Sequence, residues 1–575
     1  MMASPSMREV RSRQASRKLA ERRYELSMWR DVSMMLSRGF DGATTKGHFK
    51  DWRASRASAD ALLLDDLPEL RARSRELVRD DPHAAALIQT FEDNVVGTGI
   101  RPQARATAED TGLTEAQIRD WNRACEQIWR QWAKREADAT GHDSFSGLQR
   151  LVYRHLKEDG EGFVHPIRVS TERESWRTLA TSLEVVDPDR VGDPNSTSTA
   201  DRNIRSGIEI GDRRQAIAYL VSKNHPDDLP VAGARREMMR IRRYRNGRRN
   251  MIHVFKRLRA DQSRGIPILS PSITTFRQVQ RYLEAELTAA RVSACIAAFV
   301  KRNPLPEPPA GVPGLNDGFS EDLESVPLER LAPGIIEYLE PGEEIQTFKA
   351  DRPGTTFEPF LNRMLRSISS STGLPFELLV RDFSKTNYSS MRAALLETRR
   401  TFRCDQQMLI DQFCQPVWEL VIEEAYLRGL LPRVPQAQRL MPMLTRTRWV
   451  APPWGWVDPT KEIQASTLAI EAGLSTRADE AAANGGDWEE IQDAQLREVT
   501  RARDLEEKHD LPSGVLGGVG RKSAAPSLPT SESDDSDPQP EEVDGEDEGD
   551  SSEDDEGQDD DSTEQEDDAE QEDEE

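Results

Sequence analysis

The stretch from Ser531 to Glu575 carries 27 aspartates and glutamates and not one lysine or arginine. A like-charge block of this length repels itself and has nothing apolar to bury, so it is expected to be disordered. It holds more than a quarter of the chain's 102 acidic residues. The whole protein of 575 residues has a formal charge of −25; without those 27 carboxylates, residues 1–530 stand at +2. The folding part is therefore near-neutral and rich in arginine, and the low isoelectric point belongs to the tail. An acidic run of this kind can mimic nucleic acid, occupy a basic surface or keep a protein soluble.

Four cysteines (Cys125, Cys295, Cys404, Cys414) lie outside any C-x-x-C pattern, and no histidine has zinc-finger spacing. Free thiols and no metal site are expected. No apolar leader follows the basic N-terminus, and the longest near-apolar run, Val292 to Val300, is too short to span a bilayer. A soluble protein made in the cytosol is expected, with no membrane association.

Taken in order, residues 1–50 read as a basic arm. A helix through Leu70, Leu77 and Val78 stops at Asp80-Asp81-Pro82, and Pro82 opens another. Gly97-x-Gly99 then turns the chain; it follows a helix and lacks the third glycine of a dinucleotide loop. Ile118, Trp121, Cys125, Ile128, Trp129 and Trp132 recur at three- and four-residue steps, the pattern of a core-facing stripe. Short strands are expected at 162–164, 183–186, 207–210, 216–222 and 252–255. Glu158, Asp159 and Glu161 read as an ordinary turn. Arg235 to Arg264 holds twelve lysines or arginines. That charge suits phosphate neutralisation, and equally a surface opposite the acidic tail or a neighbouring subunit.

Pro271 opens a long helix with Ile273, Phe276, Val279, Leu283, Leu287, Ala290 and Ile296 on one face, ending before Pro304. Residues 303–333 form a Pro- and Gly-rich insertion. A strand pair is expected at 335–339 and 344–349. From Gly354 the chain reads as helix, break, basic polar loop and longer helix. Phe357, Phe360, Leu361, Met364, Leu365 and Ile368 share a face, with Thr355 and Glu358 as a capping box. Gly373 and Pro375 stop this helix. The loop carries Arg381, Lys385, Asn387 and Tyr388, and a helical pattern resumes at Ser390. Such a loop suits presentation to something anionic; an ordinary helical hairpin has the same composition. Pro416 is expected to kink the second helix. Residues 432–459 read as irregular, and 460–507 as two or three helices broken near Gly473 and Gly485-Gly486.

No catalytic constellation emerges. Gly517 to Ser523 imitates a phosphate loop but has Arg521 where the spacing requires lysine. Neither H-E-x-x-H nor G-x-S-x-G occurs.

One resemblance gathers many of these segments. Leu70–Arg79, Asn94–Ile100, Asp159-Gly160-Glu161, Asp189-Arg190-Val191, His253-Val254-Phe255, Arg264-Gly265-Ile266-Pro267, Leu339–Glu343, Ser371–Pro375 and Asn387–Arg392 occur in an order similar to that of phage portal proteins of the lambda type. The likeness covers about residues 60–460. The arm, the insertion and the acidic tail lie outside it. It implies an α+β portal fold of wing, stem, clip and crown, forming a cyclic ring of twelve at a capsid vertex, without catalytic residues or cofactors. The ring passes double-stranded DNA during packaging and ejection. It docks the terminase large subunit, the major capsid protein and head-completion or adaptor proteins, and it assembles in the host cytoplasm before residing in the virion. Mapped here, 1–59 is the arm, 60–270 the wing, 271–300 a stem helix, 301–353 the clip and 354–375 the second stem helix. Residues 376–390 become the tunnel loop, with Arg381, Lys385, Asn387 and Tyr388 toward DNA. Residues 391–459 return to the wing, 460–512 form the crown and 513–575 the tail. The competing classes are a nucleic-acid-processing enzyme and an acidic-tailed scaffold or adaptor.

Overall fold

The computed structural model describes residues 50–192, 203–228, 237–295, 299–302, 343–346, 356–455, 459–512 and 514–516, with a few residues before 50. The insertion at 303–333, the expected strand at 335–339, the imitation phosphate loop and the acidic tail fall outside these residues. The chain divides into two units, Met1–Asp493 and Ala494–Glu575.

The first unit opens with helices α1 (Ala59–Leu63), α2 (Leu67–Asp80) and α3 (Pro82–Val95). Asp81 ends α2 and caps α3, accepting from the amides of His83 and Ala84 at 2.9 and 3.1 Å. Strand β1 (Arg101–Ala104) and helices α4 (Ala108–Thr111), α5 (Glu115–Arg135) and α6 (Phe145–Glu158) follow. A reciprocal capping box of Thr114 and Gln117 starts α5.

The tryptophan stripe is core, as its spacing requires. Ile118, Trp121, Cys125, Trp129 and Trp132 are buried. Each indole N–H of the two flanking tryptophans finds a carbonyl: Trp121 donates to Leu444 at 2.9 Å and Trp132 to Thr181 at 2.8 Å.

The β-rich part contains β2 (Glu161–Arg168), β3 (Thr181–Val186), β4 (Ile204–Arg205), β5 (Ile208–Ile210), β6 (Ala216–Ser222), β7 (Met238–Arg242), β8 (Tyr244–Arg245), β9 (Arg248–Arg249) and β10 (Ile252–Phe255). Every strand expected here is present. They form an antiparallel sheet in the order β10-β2-β3, a second in the order β4-β5-β6-β7, and a β8–β9 hairpin. Phe163, Val186, Ile208, Tyr219, Val221, Ile241 and Met251 join the two sheets as a small separate core.

Helix α7 spans Ile273–Cys295 and β11 Phe299–Arg302, so residues 299–302, expected as the end of the helix, are strand; Ile296 lies outside the described residues. β11 pairs antiparallel with β12 (Glu343–Gln346). The strand expected from residue 344 thus has its described partner before the insertion rather than at 335–339. Next come α8 (Phe357–Thr372), α9 (Phe376–Val380), α10 (Tyr388–Leu409), a π-helical turn at Ile410–Cys414, and α11 (Gln415–Leu427). The π turn ends two residues before Pro416. One wide turn accommodates a residue that has no N–H to donate and a ring that crowds the preceding carbonyl, so the deformation expected of Pro416 takes this form.

Residues 432–459 are more regular than their composition indicates. They include α12 (Ala437–Leu444) and β13 (Thr447–Val450). β13 pairs antiparallel with β1, Arg101 opposite Val450 and Ala104 opposite Thr447. Three helices close the described chain: α13 (Pro459–Glu471), α14 (Arg477–Ala483) and α15 (Trp488–Lys508), with breaks at Gly473 and Gly485 as expected. α15 runs into the second unit, where Glu506 accepts from the amides of Gly514 and Leu516 at 3.0 and 2.7 Å.

Among the described residues no helix is long and apolar enough to cross a membrane. Cys125 and Cys414 are buried free thiols, and Cys404 is an exposed one.

Candidate functional site

The loop singled out from the sequence is shorter than 376–390. Residues 376–380 form α9, and Tyr388 is already the first residue of α10. The irregular part is 381–387. Gly373, at φ +75°, ends α8, and Arg381, at φ +55°, ends α9 in the same left-handed conformation. Asn387 caps α10, its side-chain oxygen accepting from the Ser390 amide at 2.8 Å. Asp382 accepts from the Ser384 amide at 3.0 Å.

The four residues picked out there therefore do different things. Arg381 and Lys385 are exposed cations on the loop. Asn387 is a helix cap, and Tyr388 is an exposed side chain on the first turn of α10. Lys385 pairs with Glu358 on the first turn of α8. That hydrogen bond raises the Lys385 ammonium and lowers the Glu358 carboxyl relative to their ordinary values. Glu358 is thus engaged with Lys385. The N-cap of α8 is Thr356, without a side-chain cap bond, and the expected partner Thr355 lies outside the described residues. Glu358 and Lys385 are 27 residues apart, and nothing local in the sequence links them.

Two supports position this loop. On one side α8 lies against α7, with Tyr282 stacked 5.7 Å from Phe357 and edge-on to Phe360 at 4.9 Å. On the other side α10 is held near its far end. Asp405 accepts from Lys157 Nζ at 2.6 Å and from the Tyr153 hydroxyl at 2.8 Å, all three buried. Burial lowers the Lys157 ammonium, only partly countered by Asp405, while burial beside Asp405 raises the Tyr153 phenol. The Lys157 ammonium also sits 4.4 Å over the Phe91 ring. From Asp405 back to Tyr388 is 17 residues, about 26 Å of helix at 1.5 Å per residue.

A second assembly holds the other helix of the pair. Glu161 is completely buried and receives four donors: Arg71, Arg264 at 2.7 Å, His253 at 2.8 Å and the Gly265 amide at 3.1 Å. Burial alone would push this carboxyl up, but Arg264, Arg71 and His253 more than offset it and hold it well below the usual carboxylate range. Arg264 continues to the carbonyls of Val191 at 3.0 Å and Pro188 at 3.2 Å. Beside it Arg75 binds Asp159 at 2.6 Å, Asp189 at 2.7 Å and Asp187 at 3.0 Å.

Glu158, Asp159 and Glu161 are consequently not a solvated turn. The backbone there is packed too tightly for any side chain. A Cβ on Gly265 would lie 1.9 Å from the Gly160 carbonyl oxygen, and one on Gly160, at φ +90°, 2.4 Å from the Ile266 carbonyl carbon. This junction fixes the chain at 264–267, just before α7. It also unites five of the dispersed segments on which the family resemblance rests.

Asp187, Asp189 and His225 offer ligand atoms within 4.8 Å of one another. Arg75 already engages both carboxylates, so the chemistry of the group is that of an ion pair. The described loop itself brings no histidine, cysteine or second carboxylate into a nucleophile–base arrangement.

This geometry presents an exposed loop bearing Arg381 and Lys385 between two anchored helices. A family model described as phage portal protein, lambda family, matches residues 45–406, more than half of the chain, and the chain belongs to that family. It is 26% identical over 483 residues to portal protein B of Escherichia phage lambda, covering 80% of this chain and 89% of that one. It is 27% identical over 478 residues to the portal protein of Escherichia phage N15, covering 80% and 88%. A probable portal protein of Halomonas phage phiHAP-1 is 27% identical over 458 residues, covering 79% and 84%. Among solved structures, the neck of a native gene transfer agent particle computed with C12 symmetry matches with a TM-score of 0.38 at 12% identity, over 73% of this chain and 93% of that one. The role that follows from the family is a structural one, the portal of a tailed phage.

Proposed function

We propose that twelve copies of this chain close into a ring at one capsid vertex and that double-stranded DNA passes through its centre during packaging and ejection. The observation that carries the reading is the loop 381–387, whose cations Arg381 and Lys385 point into solvent and take no part in the core. A channel that must let DNA slide should touch phosphates weakly and without base recognition. Two exposed cations per copy, one of them already shared with Glu358, suit that duty.

In this reading α7 and α8 are the stem helices, with 301–353 as the clip, and 60–270 together with 391–459 form the wing. Residues 460–512 make the crown. Leu287 on α7 is 58% exposed and Phe360 on α8 47% exposed, apolar surface that a neighbouring copy in a closed ring would cover. The ring docks the terminase large subunit, the major capsid protein and head-completion proteins, assembles in the host cytoplasm and resides in the virion. Negative-stain microscopy of the purified protein tests the proposal: uniform rings with a central hole are expected, and a monomer under all conditions refutes it. An assay for nuclease and ATPase activity on the same sample separates it from an enzyme of nucleic-acid processing.

A further inference from the structure

The basic segment before α7 is only partly consumed by the fold. Arg264 serves Glu161, Arg240 binds Glu209 at 2.8 Å, and Arg248 donates to the Leu420 carbonyl at 3.3 Å. Four more of its charges, Arg243, Arg249, Lys256 and Arg257, line a cleft of about 910 Å³ lying between β5–β6, the stretch 256–263 and the end of α10, together with Arg213 and Arg214. Arg243 and Arg249 are half-buried in its wall, while Arg213, Arg214, Lys256 and Arg257 stand exposed on its rim. Among the described residues only Asp261 and Asp411 line it with negative charge, and Asp261 lies 4.0 Å from Arg214.

A half-buried guanidinium loses hydration that a carboxylate usually replaces. Here Arg243 and Arg249 lie over the Tyr244 ring, 5.5 and 5.9 Å from its centre, and no carboxylate pairs with either among the described residues. Ser263 adds a buried hydroxyl oxygen without a hydrogen-bond partner to the same lining. Six cations face two carboxylates in the described lining, an excess of positive charge that suits a further anion. The cleft is also remote from the loop: Tyr388 to Met408, which lines the cleft, is 20 residues of helix, about 30 Å.

Size selects the ligand. The cleft falls within the range of about 300–1,000 Å³ that takes small or extended ligands. A nucleic-acid duplex, whose major groove alone is about 12 Å wide, does not enter it, whereas a single extended acidic peptide does. Guanidinium forks match carboxylates bidentately, and this chain carries 27 carboxylates without a single basic residue between Ser531 and Glu575.

We propose that the acidic segment 531–575 of one copy binds this cleft on a neighbouring copy, tying subunits together outside their main contacts. The inference rests on the ring reading. Residues 517–530 add up to about 50 Å of reach at full extension.

The test is zero-length carbodiimide cross-linking of the full chain, mixed from nitrogen-14 and nitrogen-15 preparations and imaged in parallel. Amide bonds from Lys256 to carboxylates of 531–575 are expected between differently labelled copies. They should fall about tenfold in the triple variant Arg213→Glu, Arg214→Glu, Arg257→Glu. They should also fall at about 1 M salt, where the Debye length is about 3 Å. Rings without mixed-label amides overturn the inference and leave the ring standing; absence of rings overturns both. Amides confined to one label, or unchanged in the triple variant, also overturn it. So does protection of Lys256 from acetylation by a short single-stranded DNA without any tail amide, which would make the cleft a phosphate site.

Discussion

Arg264 Nε donates to Glu161 Oε1 over 2.7 Å, and neither side chain touches solvent. The pair sits between two elements more than a hundred residues apart, β2 and the approach to α7. A buried pair of this kind adds little over a well-packed apolar one, but removing one partner strands the other. Glu161→Ala leaves Arg264 and Arg71 buried without their shared anion. Denaturant titration should show a loss of about 3–5 kcal/mol, and Glu161→Gln, which keeps the shape, a smaller one. A melting curve unchanged by Glu161→Ala would remove the pair from the stabilising core.

The same carboxylate sets the acid sensitivity. Glu161 is held below its unfolded value of about 4.3, so the unfolded chain binds the proton more readily. Its contribution is present in full above that pH and is lost as pH falls through it toward the depressed folded value. His253 works in the same direction from a higher start. Burial lowers its imidazole, only partly countered by Glu161, so its contribution is lost as pH drops below the unfolded value of about 6.5. Thermal melting should be flat above about pH 7, decline below 6.5 and steepen below 4.5, each proton giving up to about 1.4 kcal/mol per pH unit. His253→Gln should flatten the upper limb and Glu161→Gln the lower.

Gly160 and Gly265 touch backbone to backbone. Gly160→Ala must open this contact and adopt an unfavourable positive φ, at a cost of about 2–4 kcal/mol. The expected signature is a large fall in melting temperature. Gly247→Ala, at positive φ on an open hairpin with nothing within 4 Å of the added Cβ, should cost much less.

Loop variants probe function without stability. Lys385→Ala and Arg381→Gly, the latter retaining the left-handed cap, remove exposed charge and should leave the melting temperature unchanged. Particles carrying both are expected to package or retain DNA poorly. Glu358→Gln releases Lys385 from its partner and should alter retention in the opposite sense. Normal packaging and retention by the double variant would remove the loop from the DNA path.

Local periodicity made much of the fold readable. The α5 tryptophans, the strands from 162 to 255 and the stop at Gly373 all depend on neighbours within one or two turns or one strand. The Glu161 junction did not announce itself, because its partners Arg71 and Arg264 lie 90 and 103 positions away and charged residues on a helix ordinarily face water. Its one sequence trace was the presence of glycine beside charge at Gly160-Glu161 and again at Arg264-Gly265. The loop was recognisable by its polarity, yet its boundaries were not. The short helix at 376–380 has too few residues to show a period, and Asn387 reveals itself as a cap only through its bond to Ser390. The β1–β13 pair escaped for a similar reason, with Pro102 and Arg101 disguising one strand.

That last pairing bears on how the subunit is made. Arg101 meets Val450, so the strand emerging early from the ribosome waits for one made almost 350 residues later, roughly 20–70 s at about 5–20 residues per second. During this interval the indole of Trp121 lacks the Leu444 carbonyl to which it donates, and the aromatic face of α5 lacks Trp418 and Trp449. Closing so long a loop is slow as well as late. Nascent chains are therefore most prone to aggregate just before the last quarter is translated, and premature termination anywhere before β13 should yield insoluble product rather than a smaller working subunit.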